Sequence, residues 1–336
     1  MPDLKLGVTV GYWGSAPTPG WVEMVQQAEQ LGYDSAWTAE AYGSDVFTPL
    51  AWLGAHTSKI KLGTGIAQLS ARTPASVAMT AATLDHLTGG RVILGLGVSG
   101  PQVVEGWYGQ PFPKPLARTR EYIGIIRDIL HRDGPVTNDG EHYPLPYPGG
   151  LGLGKPLKLT VHPVRADLPI YLAAEGPKNV ALSAEIADGW LPIFYSPYRT
   201  EVYADALAGA GDGFEVACPV TVVIGDEVAD ALSVVKMFLA FYIGGMGAPN
   251  MNFHFDAIAR FGYADQAEHV RELFVSGDRA AATHAVPDEL ADEISLCGPP
   301  DRITSRLKAW IDSPVTTLLA GTQDPRALRL LADALR

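Results

Sequence analysis

Short apolar runs rich in β-branched residues alternate along the chain with longer segments in which apolar residues recur at helical spacing. The runs that we predict to be strands are Leu4–Val10, Ser35–Thr38, Ile60–Ala67, Val92–Leu96, Ile170–Ala173, Trp190–Ile193, Val220–Ile224 and Thr316–Ala320. Strands that are apolar throughout and separated by helices are typical of a parallel sheet covered by helices. Eight such units predict an α/β fold of the closed (β/α)8 TIM barrel type.

Capping signals mark several helix boundaries. Thr48-Pro49, Thr73-Pro74 and Asp324-Pro325 each combine an N-cap residue with a proline for the first helical position. Gly32 stands where a helix that starts near Gly20 would need a left-handed C-terminal residue. We therefore expect helices to begin at the three pairs and one helix to end at Gly32.

The chain is longer than a barrel requires. A (β/α)8 barrel uses about 250 residues, so a chain of 336 leaves roughly 86 for insertions. No linker separates a second unit, and we expect a single barrel domain over residues 1–336. The expected insertions follow strand four, at about residues 133–167, and strand seven, at about residues 229–293.

Charge and composition exclude some classes of binding partner. The chain has 25 Lys plus Arg against 37 Asp plus Glu, a net charge of −12, which argues against nucleic acid or an anionic membrane. A small-molecule substrate, even an anionic one held locally, remains compatible. Cys218 and Cys297 form no disulfide framework or metal motif, and the histidines lack metal-ligand spacing. With no basic leader and no apolar run near the ~18 residues of a membrane span, we expect a cytoplasmic protein without a metal.

Barrel enzymes bind ligands at the C-terminal ends of their strands. The residues after the predicted strands are aromatic and polar, a composition that suits a flat conjugated ligand. Candidate walls of a substrate pocket are Tyr12, Trp13, Tyr42, Trp107, Phe194 and Phe253. Core packing is the alternative role for each of these aromatic side chains.

Three further signals concern charge and proton transfer. Residues 173–179 run from a strand end into a helix start, where free backbone N–H groups and Lys178 favour an anion such as phosphate; an ordinary turn with a surface lysine is the alternative. His254 becomes a candidate catalytic residue if the second insertion folds over the barrel. Glu40, which follows strand two, is a second candidate.

Several segments together resemble the luciferase-like flavin and deazaflavin oxidoreductases, and within them the actinobacterial branch that depends on coenzyme F420. The resemblance covers essentially the whole chain. It is carried by residues 37–45 (WTAEAYGSD), 62–66 (LGTGI), 84–91 (LDHLTGGR), 95–107 (GLGVSGPQVVEGW), 175–179 (EGPKN), 244–247 (GGMG) and 252–254 (NFH).

The resemblance implies a barrel that binds coenzyme F420, or alternatively FMN, at the C-terminal rim. A non-proline cis peptide that backs the ring falls on Gly65-Ile66, and the phosphate site falls on Gly176, Pro177 and Lys178. Together with the rim argument, this gives the expected cofactor-binding set Gly65, Ile66, Gln68, Val98, Ser99, Ala174, Glu175, Gly176, Pro177 and Lys178. By analogy the protein is expected to form a homodimer.

Two positions depart from the sugar-phosphate dehydrogenases of this family. Those enzymes carry Asp-His where this chain has Glu40-Ala41, and a glutamate where it has Pro101, which argues against glucose-6-phosphate as substrate. Glu40 could still contact the ring or the substrate or donate a proton. Its alternative role is to pair with a neighbouring donor on the rim.

The leading hypothesis is an F420-dependent oxidoreductase that transfers a hydride between the deazaflavin and an unidentified organic substrate. One rival is an FMN-dependent luciferase-like monooxygenase. Another is a barrel that binds a cofactor without catalysis. The sequence does not identify the substrate, because the insertion loops shape its pocket.

Overall fold

Ten parallel strands form the centre of the molecule. The computed structural model describes residues 4–247 and 251–336. The strands are β1 (Lys5–Gly11), β2 (Ser35–Thr38), β3 (Lys61–Thr64), β4 (Ala67–Gln68), β5 (Val92–Gly97), β6 (Ile170–Ala173), β7 (Gly189–Leu191), β8 (Glu215–Ile224), β9 (Ser295–Gly298) and β10 (Thr317–Gly321).

Eight of these strands close into a barrel. The hydrogen-bonded order is β10-β1-β2-β3-β5-β6-β7-β8, and β10 also pairs with β8, which completes the circle. β4 continues beyond β3 and pairs with β5. β9 adds to the far end of β8, where Thr221 pairs with both Gly321 of β10 and Ser295 of β9. The predicted (β/α)8 TIM barrel is confirmed.

Helices surround the barrel. They are α1 (Trp21–Leu31), α2 (Phe47–His56), α3 (Pro74–Thr88), α4 (Pro101–Gly106), α5 (Pro115–His131), α6 (Pro177–Ile186), α7 (Glu201–Leu207), α8 (Val228–Gly245), α9 (Phe253–Ile258), α10 (Ala264–Val275), α11 (Arg279–Ala285), α12 (Asp288–Glu293), α13 (Pro300–Ile311) and α14 (Pro325–Ala334). A π-helical turn, Ala259–Tyr263, joins α9 to α10. Between α5 and β6 the chain forms isolated antiparallel bridges instead of helices over residues 132–169, all of which are described.

Most capping predictions hold, and one is wrong. The Thr73 side chain accepts a hydrogen bond from Ser76 N, and Asp324 accepts one from Arg326 N. Gly32 ends α1 with a φ of 89°. Thr48-Pro49, however, does not open its helix. α2 begins at Phe47 because the carboxylate of Asp45 accepts hydrogen bonds from Phe47 N at 3.0 Å and from Thr48 N at 2.9 Å.

Most predicted strands match the observed ones to within one or two residues at their ends, and three differences are larger. Predicted strand three, Ile60–Ala67, is interrupted at the cis peptide between Gly65 and Ile66, so β3 and β4 are separate. β8 begins at Glu215, before the predicted start at Val220. β9 was not predicted.

A plug of side chains fills the barrel interior beneath the mouth, by which we mean the C-terminal ends of the barrel strands. It consists of Trp37, Ile93, Tyr171, Leu191, Ala217 and Leu319. The indole of Trp37 occupies the space beside Gly63, where any side chain would collide with its ring. Ile66 and Ala173 pack on this plug, which therefore supports the mouth from below.

One expectation about membranes needs correction. α8 has 18 residues and meets the length and composition of a membrane span, although no such run was expected from the sequence. In the structure α8 packs against α10, α11 and α12, and its buried residues include Val235, Leu239 and Ile243. A core helix passes the same length and composition test, so α8 is weak evidence for a span.

Candidate active site at the mouth of the barrel

The ends of β3 and β5 form a floor with little side-chain cover. Gly65 is exposed at the mouth, and its bond to Ile66 is cis, as expected from the resemblance. A methyl group added at Gly97 would lie 3.0 Å from Cδ1 of Ile66, so the glycine lets Ile66 occupy this position. The result is an apolar surface around Ile66 that opens toward solvent at Gly65.

Gln68 lies at the edge of this floor with one unsatisfied atom. Its backbone N–H donates to Oε2 of Glu40 at 3.0 Å, and its Nε2 donates to the Glu40 carbonyl at 3.2 Å. Its Oε1 is buried and has no hydrogen-bond partner among the residues that the structure describes. A buried acceptor left unpaired costs roughly 1–3 kcal/mol, so this atom suits a donor supplied by a ligand.

Glu40 is fully engaged with donors. Arg72 forms a fork with it, Nη1 donating to Oε2 at 2.9 Å and Nη2 to Oε1 at 2.8 Å. The Glu40 side chain is only 3% exposed. Burial alone would lower the pKa of Arg72, but the hydrogen bonds and charge of Glu40 raise it. Glu40 thus makes the pairing with a rim donor that the sequence left open.

Two expected site residues have a backbone conformation that is unusual for side chains other than glycine. Ser99, which follows β5, has a φ of 59°, and Phe194, which follows β7, has a φ of 56°. Such a conformation costs on the order of 1–3 kcal/mol and concentrates at functional sites. Ser99 precedes α4, and the buried ring of Phe194 packs against Tyr242 and His254.

The side chains of His254 and Glu175 are in hydrogen-bond contact at the mouth. Nδ1 of His254 lies 2.9 Å from Oε1 of Glu175, and the two side chains are 19% and 14% exposed. Because a carboxylate only accepts hydrogen bonds, Nδ1 carries the proton, and Nε2 is the nitrogen that can gain or lose one. This arrangement is suited to proton transfer.

Neighbouring residues fix both partners in place. Asn252 caps α9 by accepting from His254 N at 3.0 Å, and its amide donates to the carbonyl of Ile243 in α8 at 2.8 Å. Arg260 Nη2 donates to the Glu175 carbonyl at 2.8 Å. The second insertion therefore reaches the turn after β6.

Aromatic rings line the mouth around this pair. The Tyr242 ring lies 4.7 Å from the His254 ring and 4.4 Å from that of Phe238, centroid to centroid. Burial, followed by the nearby Tyr12, raises the pKa of Tyr242. Tyr12 is thus connected to His254 through Tyr242, whereas the Phe194 ring contacts His254 directly.

The other expected pocket residues are spread more widely. Trp13 lines a cleft between the loops after β1 and β2. Its backbone N–H donates to Ser44 Oγ at 3.1 Å. Tyr42 and Trp107 are exposed. Phe253 is the first residue of α9 and is half-buried.

The expected anion site lies at the start of α6. Gly176 is the N-cap and makes no side-chain cap, and Pro177 and Lys178 are exposed. The carbonyl of Ala174 accepts a hydrogen bond from Trp190 Nε1 at 2.8 Å, which holds this turn on the barrel. Val98, expected on the cofactor side, lies half-buried after β5.

Sequence reasoning did not assign Arg72, Tyr242 or Arg260 to the site. Arg72 follows predicted strand three and Glu40 follows strand two, so opposite charges at neighbouring strand ends were the available signal. Tyr242 lies within an apolar helix that is typical of a core element. Only the folded insertion brings Tyr242 and Arg260 to the mouth.

A family model and individual relatives place the chain in the same family. The family model described as luciferase-like monooxygenase matches residues 10–317. A Mycobacterium tuberculosis protein, named as a proposed coenzyme F420-dependent oxidoreductase, is 52% identical over 98% of this chain and 98% of its own. The 5,10-methylenetetrahydromethanopterin reductase of Methanolobus tindarius is 31% identical over 88% and 87%.

A solved structure resembles the whole chain. The coenzyme F420-dependent tetrahydromethanopterin reductase from Methanopyrus kandleri superposes with a TM-score of 0.81 at 25% identity, covering 99% of this chain and 98% of that one.

Proposed function

Because the chain belongs to the luciferase-like monooxygenase family, we propose that its mouth binds coenzyme F420 and exchanges a hydride between that deazaflavin and a small organic substrate. The protein is an F420-dependent oxidoreductase. The observation that carries the assignment to the mouth is the buried, unpartnered Oε1 of Gln68 beside the floor at Gly65 and Ile66.

The floor fits a flat heterocycle. A deazaflavin ring has an N–H donor on its pyrimidine edge, which is the kind of group that Gln68 Oε1 lacks. Gly65 and Gly97 leave an apolar surface over Ile66 that can contact a ring face. When bound, the cofactor supplies a carbon that gives or accepts the hydride.

The start of α6 would hold the anionic part of the cofactor. Backbone N–H groups at a helix N-terminus favour anions, and Lys178 adds an exposed positive charge. Glu175 comes directly before Gly176 in the sequence. The contact between Glu175 and His254 therefore borders the proposed anion site. Ala174, Val98 and Ser99 complete the expected surround.

His254 is the proposed proton-transfer residue. When a hydride leaves or joins a substrate carbon, a proton commonly leaves or joins the neighbouring heteroatom. Glu175 would hold the imidazole with Nδ1 protonated, so that Nε2 can take or give that proton. Tyr242 and Phe194 hold the ring in place.

We assign Glu40 a positioning role. Arg72 and Gln68 occupy its oxygens, and an engaged carboxylate is poorly placed to exchange protons. It anchors the backbone of Gln68, whose side chain borders the floor. Arg72 in turn keeps this buried charge neutralised.

Fluorescence titration of the purified chain with oxidised coenzyme F420, beside FMN, tests the proposal. We expect saturable binding of F420 at micromolar concentration or below and far weaker binding of FMN. Absence of F420 binding would refute it. Binding of FMN alone, with oxygen uptake in the presence of reduced FMN, would replace it by a monooxygenase. Retention of F420 without turnover across alcohols, ketones and enones would leave a non-catalytic binding barrel.

Two neighbouring outer helices carry a face without strong charges. The exposed residues of α2 and α3 are Thr48, Ala51, Trp52, Ala55, His56, Ser76, Met79, Thr83, His86 and Leu87. None of them is Asp, Glu, Lys or Arg, although the chain has a net charge of −12. Grouped exposed apolar side chains mark interaction surfaces. Repulsion between two copies of an acidic protein is weakest where carboxylates are absent.

A homodimer through the α2 and α3 face is therefore part of the proposal. Trp52→Glu places a charge in the contact and is expected to give monomers, measured by light scattering during size-exclusion chromatography. Val275→Glu, at an exposed residue that ends α10, is the matched control and should stay dimeric. A monomeric wild-type protein, or a dimeric Trp52→Glu variant, would contradict this interface.

A further inference from the structure

A cleft opens between the loops that follow β1 and β2. Its volume is about 450 Å³, within the usual range of about 300–1,000 Å³ for small-molecule sites. The lining residues are Trp13, Gly14, Ser15, Ala16, Pro17, Gly43, Ser44, Asp45, Thr48 and Pro49. The hydrogen bond from Trp13 N to Ser44 Oγ ties the two walls together, so the cleft is formed before any ligand binds.

A chain of side-chain contacts links the cleft to the proposed cofactor floor. Asp45 lines it, and Oδ1 of Asp45 lies 3.8 Å from Nη2 of Arg72. Arg72 holds Glu40, and Glu40 holds the backbone of Gln68. A molecule in the cleft would therefore lie near Asp45 and Arg72, from which Glu40 connects to Gln68 at the edge of the floor.

The charges around the cleft are one-sided. Asp45 is its single ionisable lining residue, with a side chain 42% exposed, and no Lys, Arg or His from the described ranges contributes to the lining. The nearby cation, Arg72, forms the fork with Glu40, pairs with Asp45 at 3.8 Å and stacks over the Phe47 ring, so one positive charge is already shared by two carboxylates. An anionic ligand would meet Asp45 without a free counter-charge.

The lining of the cleft favours one charge type of substrate. An anion held beside Asp45 would meet a like charge with no free cation among the described residues of the lining, and the net charge of −12 repels anions at longer range. The walls instead offer the Trp13 indole and the rings of Pro17 and Pro49, together with the Ser44 hydroxyl. We propose that the substrate bound in this cleft is an uncharged organic molecule with an apolar body. This inference rests on the proposed function and names its substrate class.

A pair of probes of equal shape tests the proposal. Benzamide is neutral and benzoate is its anionic counterpart; their binding to the full-length chain, with and without F420, is measured by ligand-observed NMR. We expect benzamide to bind at least about tenfold more tightly than benzoate, since like charges brought together are costly. In Asp45→Asn, which can still cap α2, the preference should fall to about twofold or less.

Controls separate the cleft from the rest of the protein. Asp312→Asn removes an exposed carboxylate after α13, at the opposite end of the barrel, and should keep the wild-type preference. Trp13→Ala should weaken both probes and leave F420 affinity unchanged. Equal binding of the two probes, or an unchanged preference in Asp45→Asn, would overturn the inference. Loss of F420 binding with an intact probe preference would instead refute only the proposed function.

Discussion

Two carboxylates at the mouth, three strands apart in the barrel, are held in contrasting ways. Glu40, after β2, accepts hydrogen bonds from two nitrogens of Arg72 and from the backbone of Gln68. Glu175, after β6, contacts the ring of His254, and Arg260 holds only its carbonyl. The first arrangement fixes a neutralised charge, whereas the second orients a group that can exchange protons. We therefore expect the Glu40–Arg72 pair to contribute mainly to stability and the Glu175–His254 pair mainly to turnover.

The largest expected effect on folding comes from removing Arg72. In Arg72→Met, the buried carboxylate of Glu40 keeps its charge and loses its partner, which should lower the free energy of unfolding by about 3 kcal/mol. Urea denaturation measures this change. The double variant Arg72→Met/Glu40→Gln should recover a large part of the loss. Equal destabilisation of the single and double variants would show that the ion pair is not the cause.

Removing His254 should affect turnover far more than folding. His254→Ala is expected to reduce kcat about a hundredfold or more, measured by F420 absorbance with a substrate that the wild-type chain turns over. The midpoint of urea unfolding should move little, because the pair is partly solvated. His284→Ala, which removes an exposed histidine from α11, is the control and should keep the wild-type kcat. A variant with wild-type kcat would remove His254 from the reaction.

A smaller effect is expected at Gln68. Gln68→Leu removes the unpaired Oε1 and should weaken F420 affinity about tenfold, which corresponds to about 1.4 kcal/mol. Fluorescence titration measures this change. Gln68→Met keeps a side chain of similar length without the acceptor and separates loss of the acceptor from loss of shape. Unchanged affinity in Gln68→Leu would place the cofactor's donor edge elsewhere.

The barrel was predictable because its strands are local features. Runs such as Ser35–Thr38 and Ile170–Ala173 are short, apolar and bounded by polar turns, and both match the observed strands. β9 was not predicted because Ser295–Gly298 has only two apolar residues between a serine and a glycine. It pairs with the far end of β8, outside the closed barrel. α2 starts earlier than predicted because Asp45, and not Thr48, caps its first turn. Which of the two side chains caps the helix depends on the path of the preceding loop.

The candidate site was predictable residue by residue but not as a network. The strand-end rule drew attention to Glu40, Gln68 and Glu175, and nothing in sequence separation indicated which partner each would have. His254 meets Glu175 across 79 positions of the chain, through an insertion whose path depends on Asn252 and on the packing of α8. Such contacts follow from tertiary packing, which local patterns do not encode.

The plug beneath the mouth has a kinetic consequence. Trp37 and Tyr171 are buried side chains of this plug, so a ligand on the floor exchanges with solvent through the mouth. In the proposed arrangement the cofactor ring lies on the floor at Ile66, and the substrate cleft borders that floor from the rim. Substrate in the cleft would then narrow the route by which the cofactor leaves the floor, so excess substrate should slow cofactor exchange.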